Sequence, residues 1–304
     1  MLKYKIGFLG TGIMGSAMVK NLLRSGCNVK VYNRTLSKAI ALEPYGAKIC
    51  SSPSDVIRDS DMVLCCLFDS NAVESIILDN DEVLHSFSPD QIFIDFTTNY
   101  PPFTKKLSTT LLKYGVNMLD APVSGGEVGA KEGALSIMVG GNPEIFNKCI
   151  PIFKKLGNTL THIGNNVGDG CYAKMANQIM VAINMAALVE ALSFSKKVNV
   201  DTNKLYTALS GGLANSEVLR VKFNKMINED YAPGGKINVN LKDLNYVNDI
   251  MIEEGFNLPT IDLIRKLYDD LSKAGYGDED HCALIRIFDN ISGSKDYQHL
   301  RDRE

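Results

Sequence analysis

An α/β domain built on a doubly wound parallel sheet, followed by an all-α domain, is what this sequence predicts. Three observations carry the expectation. Short apolar runs alternate with helical stretches through the first half of the chain. Three glycines, Gly10, Gly12 and Gly15, link the first apolar run to the first helix. Beyond Gly170 strand signals almost vanish and long helical patterns take over.

The first strand is expected at 6–9. The helix after it opens near Met14, places Ala17, Met18, Leu22 and Leu23 on one face, and stops at Gly26. Set between strand and helix, Gly10-x-Gly12-x-x-Gly15 predicts a dinucleotide site. Gly10 permits the tight turn, Gly12 lets backbone approach a pyrophosphate, and Gly15 lets helix pack on strand. The helix N-terminus adds unpaired N–H groups and positive potential. Further strands are expected at 29–33, 47–50, 62–67, 92–96, 116–119 and 135–139. The turn-rich stretch from Gly164 to Gly170 divides the chain into domains 1–164 and 165–304.

From Cys171 to about Phe194 apolar residues fall on nearly every side of a helix. Asn177, Gln178, Asn184 and Glu190 interrupt it, and its unbroken apolar runs fall short of the roughly 20 residues a membrane span needs. A buried central helix joining the two domains is therefore expected, with no membrane role. Helices follow at 202–209, 216–228, 241–254, 259–274 and near 283–290, and the polar tail 294–304 is expected to fray.

With 304 residues, 45% hydrophobic and 22% charged, the chain can build two ordinary cores. A net charge of −3 argues against a basic nucleic-acid surface. Seven scattered cysteines without a C-x-x-C pair suggest free thiols in a reducing cytosol, and no targeting segment is visible, so a cytoplasmic protein is expected. With four histidines and no His/Cys cluster, no metal site is expected. His85, His162, His281 and His299 sit in no motif and are read as structural or surface groups.

Four stretches could carry chemistry. At the end of the second strand, where the adenosine ribose would lie, the sequence reads Asn33-Arg34-Thr35. A neutral Asn beside an Arg that can pair with a 2′-phosphate favours NADP over NAD; an exposed Arg in a turn is the plainer reading. Asp120-Ala-Pro-Val-Ser124-Gly125-Gly126 follows a strand and can turn a row of backbone N–H groups toward a carboxylate, or be only a strand-to-helix turn. Lys174 stands at the mouth of the apolar helix with Asn177 three residues on, hence on the same face. It either snorkels to solvent or projects into a polar cleft, where desolvation suits its amine to proton transfer. Lys242, next to Asp243, is a second cation for such a cleft or half of a surface charge pair. Thr98, after Asp95-Phe-Thr, ends a strand where a sheet's carboxyl edge meets a cofactor.

Together, Gly10-Thr-Gly-Ile-Met-Gly15, the 120–126 stretch with Gly129-Ala130 and Gly133, Gly168-x-Gly170-x-x-x-Lys174-x-x-Asn177, and Lys242-Asp243 resemble the β-hydroxyacid dehydrogenases. The resemblance runs from about residue 5 to 291. It implies a Rossmann domain, a long linking helix and an all-α domain, as in the 6-phosphogluconate dehydrogenase-like fold. It also implies that Lys174 is catalytic and that Ser124, Gly125, Gly126 and Asn177 hold the substrate carboxylate and hydroxyl. Gly10, Thr11, Gly12, Ile13, Met14, Gly15, Asn33, Arg34, Thr35, Leu67, Phe68, Thr98 and Lys242 would contact the cofactor, with Met14 and the Leu67-Phe68 loop flanking the nicotinamide. The second half is similar to the tartronate semialdehyde reductase branch: Asn177-Gln-Ile-Met-Val-Ala-Ile-Asn184, Gly211-Gly-Leu-Ala-Asn-Ser216 and Tyr231-Ala-Pro233-Gly234 carry that likeness. Asn33-Arg34-Thr35 looks more like glyoxylate and succinic semialdehyde reductases, and Gly235 stands where an aromatic is common. The expected reaction is reduction of a small carboxylate-bearing aldehyde, tartronate semialdehyde to glycerate. The alternatives are a glyoxylate/succinic semialdehyde reductase, a 3-hydroxyisobutyrate dehydrogenase, or a non-catalytic binding module. A homodimer or homotetramer is expected.

Overall fold

In the computed structural model, residues 4–290 are described; the expected fraying tail and His299 lie outside them. The chain separates into two compact units, Met1–Lys174 and Met175–Glu304, ten residues later than the division at 164/165.

The first unit holds a nine-stranded sheet: β1 (Lys5–Leu9), β2 (Asn28–Tyr32), β3 (Lys48–Ile49), β4 (Met62–Cys65), β5 (Ile92–Asp95), β6 (Asn117–Asp120), β7 (Val123–Ser124), β8 (Leu135–Gly140) and β9 (Gly157–Gly164). Its order is β3-β2-β1-β4-β5-β6-β8-β7, with β9 on β8. The strands from β3 to β6 are parallel, and the order reverses direction between β1 and β4. Ligands of open α/β sheets bind beyond the carboxyl ends at such a switch point. The loop after β1 carries the glycines, so it sits there.

Alternating side chains supply a core on each sheet face. Phe8, Leu64, Ile94 and Leu119 lie in one cluster; Leu9, Val63, Phe93 and Met118 lie in the other. Burial of each such side chain stabilises by about 1.5–3 kcal/mol. The runs at β4 and β5 are apolar without alternation because both faces are covered.

Two features depart from the expected parallel sheet. β8 is antiparallel to β6 and β7. The helix between them, Gly126–Glu132, has seven residues, a rise of about 10 Å, so the chain does not cross back before β8 begins. β9 was not expected at all; half of its residues are exposed, and of those turned inward only Leu160 and His162 carry a side chain, too little apolar signal to read as a strand.

The second unit is helical over its described residues. Thr202–Ser210, Glu217–Ile227, Ile237–Glu254, Pro259–Leu271 and Ile285–Asn290 stand close to the expected spans. Asp201 and Ser216 cap two of them through their side chains, and Gly255 ends a third in the left-handed region. The helix Asp169–Lys197 begins in the first unit and continues in the second, where Met185, Leu188, Val189 and Leu192 join Phe223, Leu244, Ile264 and Tyr268 in one core. By length and composition this helix is long and apolar enough to cross a membrane, a test that a core helix also passes. Met180 and Phe194 on it are 61% and 68% exposed.

Candidate active site

The glycine loop is held from both sides. Gly10 takes a positive φ of 94°, and a Cβ there would stand 2.4 Å from the Cys66 carbonyl oxygen. A Cβ on Gly15 would meet the Gly10 carbonyl oxygen, so helix and turn touch through bare backbone. The Gly10 N–H donates to Tyr32 O, and the Thr11 N–H donates to Asn33 Oδ1 at 2.9 Å. Asn33 Nδ2 donates in turn to Thr35 O. Both ends of the Asn33 amide are thus engaged with backbone, tying the glycine loop to the loop after β2. Arg34 and Thr35 are exposed beside it.

A dinucleotide fits this loop. Gly12 has no heavy atom within 4 Å of where a Cβ would stand, and Thr11 Oγ1 is buried with no protein partner. The helix Ile13–Arg24 has no side-chain cap, which leaves its first N–H groups available to an anion. Ile13 and Phe68 are exposed; Met14 and Leu67 are half-buried.

The loops after β4 and β5 are joined through Thr97, which the sequence shows beside Thr98 without a role of its own. The Leu67 N–H donates to Thr97 Oγ1, while the Thr97 N–H donates to Asp95 Oδ1. Asn99 Nδ2 donates to Asp95 Oδ2 at 2.8 Å. Asp95 is fully buried, and burial pushes its carboxyl up to about 6 against the hydrogen bonds from Thr97 and Asn99. Thr98 follows directly, half-buried.

Asp120, at the end of β6, stands in the sequence only as part of a motif. Its carboxylate accepts from the Gly168 and Cys171 N–H groups, each at 2.7 Å. It therefore caps the start of the Asp169–Lys197 helix from a distant strand, pairing donors a helix otherwise leaves orphaned. Burial raises its pKa, opposed by those same hydrogen bonds. A Cβ on Gly170 would stand 2.4 Å from Met138 O, so the helix start lies directly on the sheet's backbone. One turn further on, Lys174 is 6% exposed; it is buried, not snorkelling. Ser124, Gly125 and Gly126 follow Asp120 in the same unit. Gly125 and Gly126 take positive φ, and the helix Gly126–Glu132 carries no side-chain cap, leaving its first N–H groups for an anion.

In the second unit, Asn177 Nδ2 donates to Gln178 Oε1 at 2.9 Å, and Gln178 Nε2 donates to Asp243 Oδ2 at 2.6 Å. The Lys242 ammonium lies 2.9 Å from Asp243 Oδ1, both side chains nearly buried. Oδ1 receives no directed hydrogen bond there, so the contact is an ion pair by proximity alone. The pair of adjacent charges does form, but away from the surface. In the sequence Gln178 stands as a break in an apolar run and as part of the 177–184 likeness, with no role of its own; a Gln one residue after a candidate site Asn is the available signal.

The other candidates keep structural roles. His162 stacks on Phe146 and its Nε2 lies 2.8 Å from Gly141 O; His85 Nδ1 lies 2.7 Å from Asp81 O. All seven cysteines are free thiols.

Comparison with known proteins agrees with this anatomy. Residues 5–164 match the NAD-binding domain of 6-phosphogluconate dehydrogenase, and residues 168–288 match a domain described as NAD-binding of NADP-dependent 3-hydroxyisobutyrate dehydrogenase. The chain is 36% identical over 292 residues to 2-hydroxy-3-oxopropionate reductase of Escherichia coli, covering 96% of this chain and 99% of that one. It is 34% identical over 289 residues to a probable mitochondrial 3-hydroxyisobutyrate dehydrogenase-like protein of Arabidopsis thaliana, covering 95% and 86%. A solved 3-hydroxyisobutyrate dehydrogenase of Mycobacterium tuberculosis, with L-serine, superposes with a TM-score of 0.85 at 26% identity, over 94% of this chain and 99% of that one.

Proposed function

The chain belongs to the 3-hydroxyisobutyrate dehydrogenase-like family of β-hydroxyacid dehydrogenases and is an NAD(P)-dependent enzyme, and from that premise we propose that it reduces 2-hydroxy-3-oxopropionate (tartronate semialdehyde) to glycerate, with NADPH preferred and Lys174 as general acid. The observation that carries the reading is the placement of Lys174. Lys174 is buried one turn beyond a helix start that Asp120 fixes to the sheet, in the same unit as the Ser124–Gly126 turn.

The residues then divide the chemistry. Gly10, Thr11, Gly12, Ile13, Met14 and Gly15 hold the pyrophosphate side of the cofactor, with Asn33 bracing the loop and Arg34 and Thr35 at the adenosine end. Leu67, Phe68, Thr98 and Lys242 contact it further along. The nicotinamide, when bound, supplies the hydride. The N–H groups around Ser124, Gly125 and Gly126 receive the substrate carboxylate. Asn177 contacts the substrate hydroxyl. Lys174 polarises the aldehyde oxygen and donates its proton as negative charge develops there. Water exclusion strengthens that interaction relative to solvent.

The substrate is supported by the 36% identical reductase and by the segments 177–184, 211–216 and 231–234. Asn33-Arg34-Thr35 supports a second reading, a glyoxylate or succinic semialdehyde reductase. The test is a panel of 2-hydroxy-3-oxopropionate, glyoxylate, succinic semialdehyde and methylmalonate semialdehyde, each with NADPH and NADH. The highest kcat/KM is expected for 2-hydroxy-3-oxopropionate with NADPH. A higher value for another aldehyde replaces the substrate, and equal values with the two cofactors remove the NADP preference.

A homo-oligomer, dimer or tetramer, belongs to the same proposal. Met180 and Phe194 are two heptads apart, so they share an exposed apolar line on the Asp169–Lys197 helix. A second copy of the chain would cover it. Light scattering that finds only monomer at micromolar concentration would exclude this.

A further inference from the structure

The hydrogen bonds of Asn177, Gln178 and Asp243 have a direction, and one charge sets it. An ionised carboxylate can only accept. Asp243, 2% exposed, therefore requires Gln178 to turn its NH2 group toward Oδ2, as it does at 2.6 Å. That leaves Gln178 Oε1 facing Asn177, which must then offer its own NH2 group, as it does at 2.9 Å. Turning the Gln178 amide over would set a carbonyl oxygen against a carboxylate; turning Asn177 over would set two carbonyl oxygens together. Gln178 is 8% exposed, so solvent does not readily relieve either clash. Lys242 sets its positive charge against the other oxygen of Asp243.

We propose that Gln178 is a specificity-determining positioning residue: anchored by Asp243, it holds the Asn177 amide with Oδ1 outward, so that the substrate site presents an acceptor and selects a 3-oxo acid bearing a hydroxyl donor over the same acid without it. The proposal rests on the reading that Asn177 contacts substrate. The two helices carry the polarity outward from a buried charge to a half-buried amide, 65 residues apart in sequence at the Gln178–Asp243 step. An acceptor left facing a methylene loses its O–H partner, which is how polar sites reject deoxy analogues.

The test compares kcat/KM for 2-hydroxy-3-oxopropionate and 3-oxopropionate, which differ only in that hydroxyl, in the wild type, Gln178→Met and Gln178→Glu. The wild type is expected to prefer the hydroxylated acid by about 10–100-fold, since Asn177 is half-buried. Gln178→Met keeps the length and removes both hydrogen bonds; the preference should fall about tenfold or more, with KM for NADPH unchanged. Gln178→Glu still only accepts from Asn177, so the preference should persist even if the variant is less stable. A purely structural role would lower both activities together and leave the ratio unmoved, which overturns the proposal. A wild-type ratio near one overturns it without any variant. If the wild type reduces neither acid but reduces another aldehyde of the panel, the substrate reading beneath it falls as well, and the two failures are told apart.

Discussion

The glycine loop after β1 and the start of the Asp169–Lys197 helix are both fixed against the sheet's backbone, by opposite means. The loop is shaped by what its residues lack: Gly10 and Gly15 let backbone meet backbone, and the requirement is written within six positions. The helix start is shaped by a side chain from far away, the Asp120 carboxylate reaching 48 and 51 residues along the chain to Gly168 and Cys171. A site fixed by missing atoms is local in sequence, whereas a site fixed by buried acids depends on the tertiary fold.

That difference can be broken at either end, and the largest effect is expected in the loop. Gly15→Ala sets a methyl against the Gly10 carbonyl, a fixed backbone atom, and should destabilise the first unit by about 3 kcal/mol and abolish NADPH binding. Gly12→Ala is its control. With open space around the Cβ, its melting temperature should match wild type while KM for NADPH rises, because the methyl occupies the approach of the pyrophosphate. Equal melting losses in both would show that the loop is not shaped by those contacts.

At the helix start, Asp120→Asn leaves one of two short N–H donors facing an NH2 group, which costs about 1–3 kcal/mol. Its kcat should fall about tenfold with KM for NADPH unchanged, since the cap holds Lys174 and not the loop. Unchanged kcat in a folded variant would remove Asp120 from that role.

A third contrast is a pH dependence through Asp95, which leaves turnover aside and acts on stability alone. Burial raises its carboxyl from 3.8 to about 6 in the folded chain, so the folded state keeps this proton to higher pH than the unfolded one. The stability it contributes is full below about pH 4 and is lost as pH rises through about 6, by at most roughly 3 kcal/mol. Urea titrations from pH 4 to 8 should show that loss in the wild type and not in Asp95→Asn.

These contrasts also mark what the sequence made legible. The strand rhythm from 6 to 139 and the helices from 202 onward could be read because periodicity is local. The reversed β8 and the edge strand β9 could not, since a short connecting helix and an inward face with only two side chains leave no periodic trace. Ser124, Lys174 and Asn177 were visible as motif members. Their supports, Thr97, Asp120 as a cap, and Gln178 with Asp243, were not, because hydrogen bonds spanning 30 to 65 residues carry no spacing rule.

Turnover of Lys174→Ala, with NADPH affinity measured alongside, tests the central claim most directly. With Lys174 as the proton donor, kcat should fall by about 10²–10⁴ while NADPH binds as in wild type. A variant that binds NADPH and turns over at the wild-type rate would contradict it.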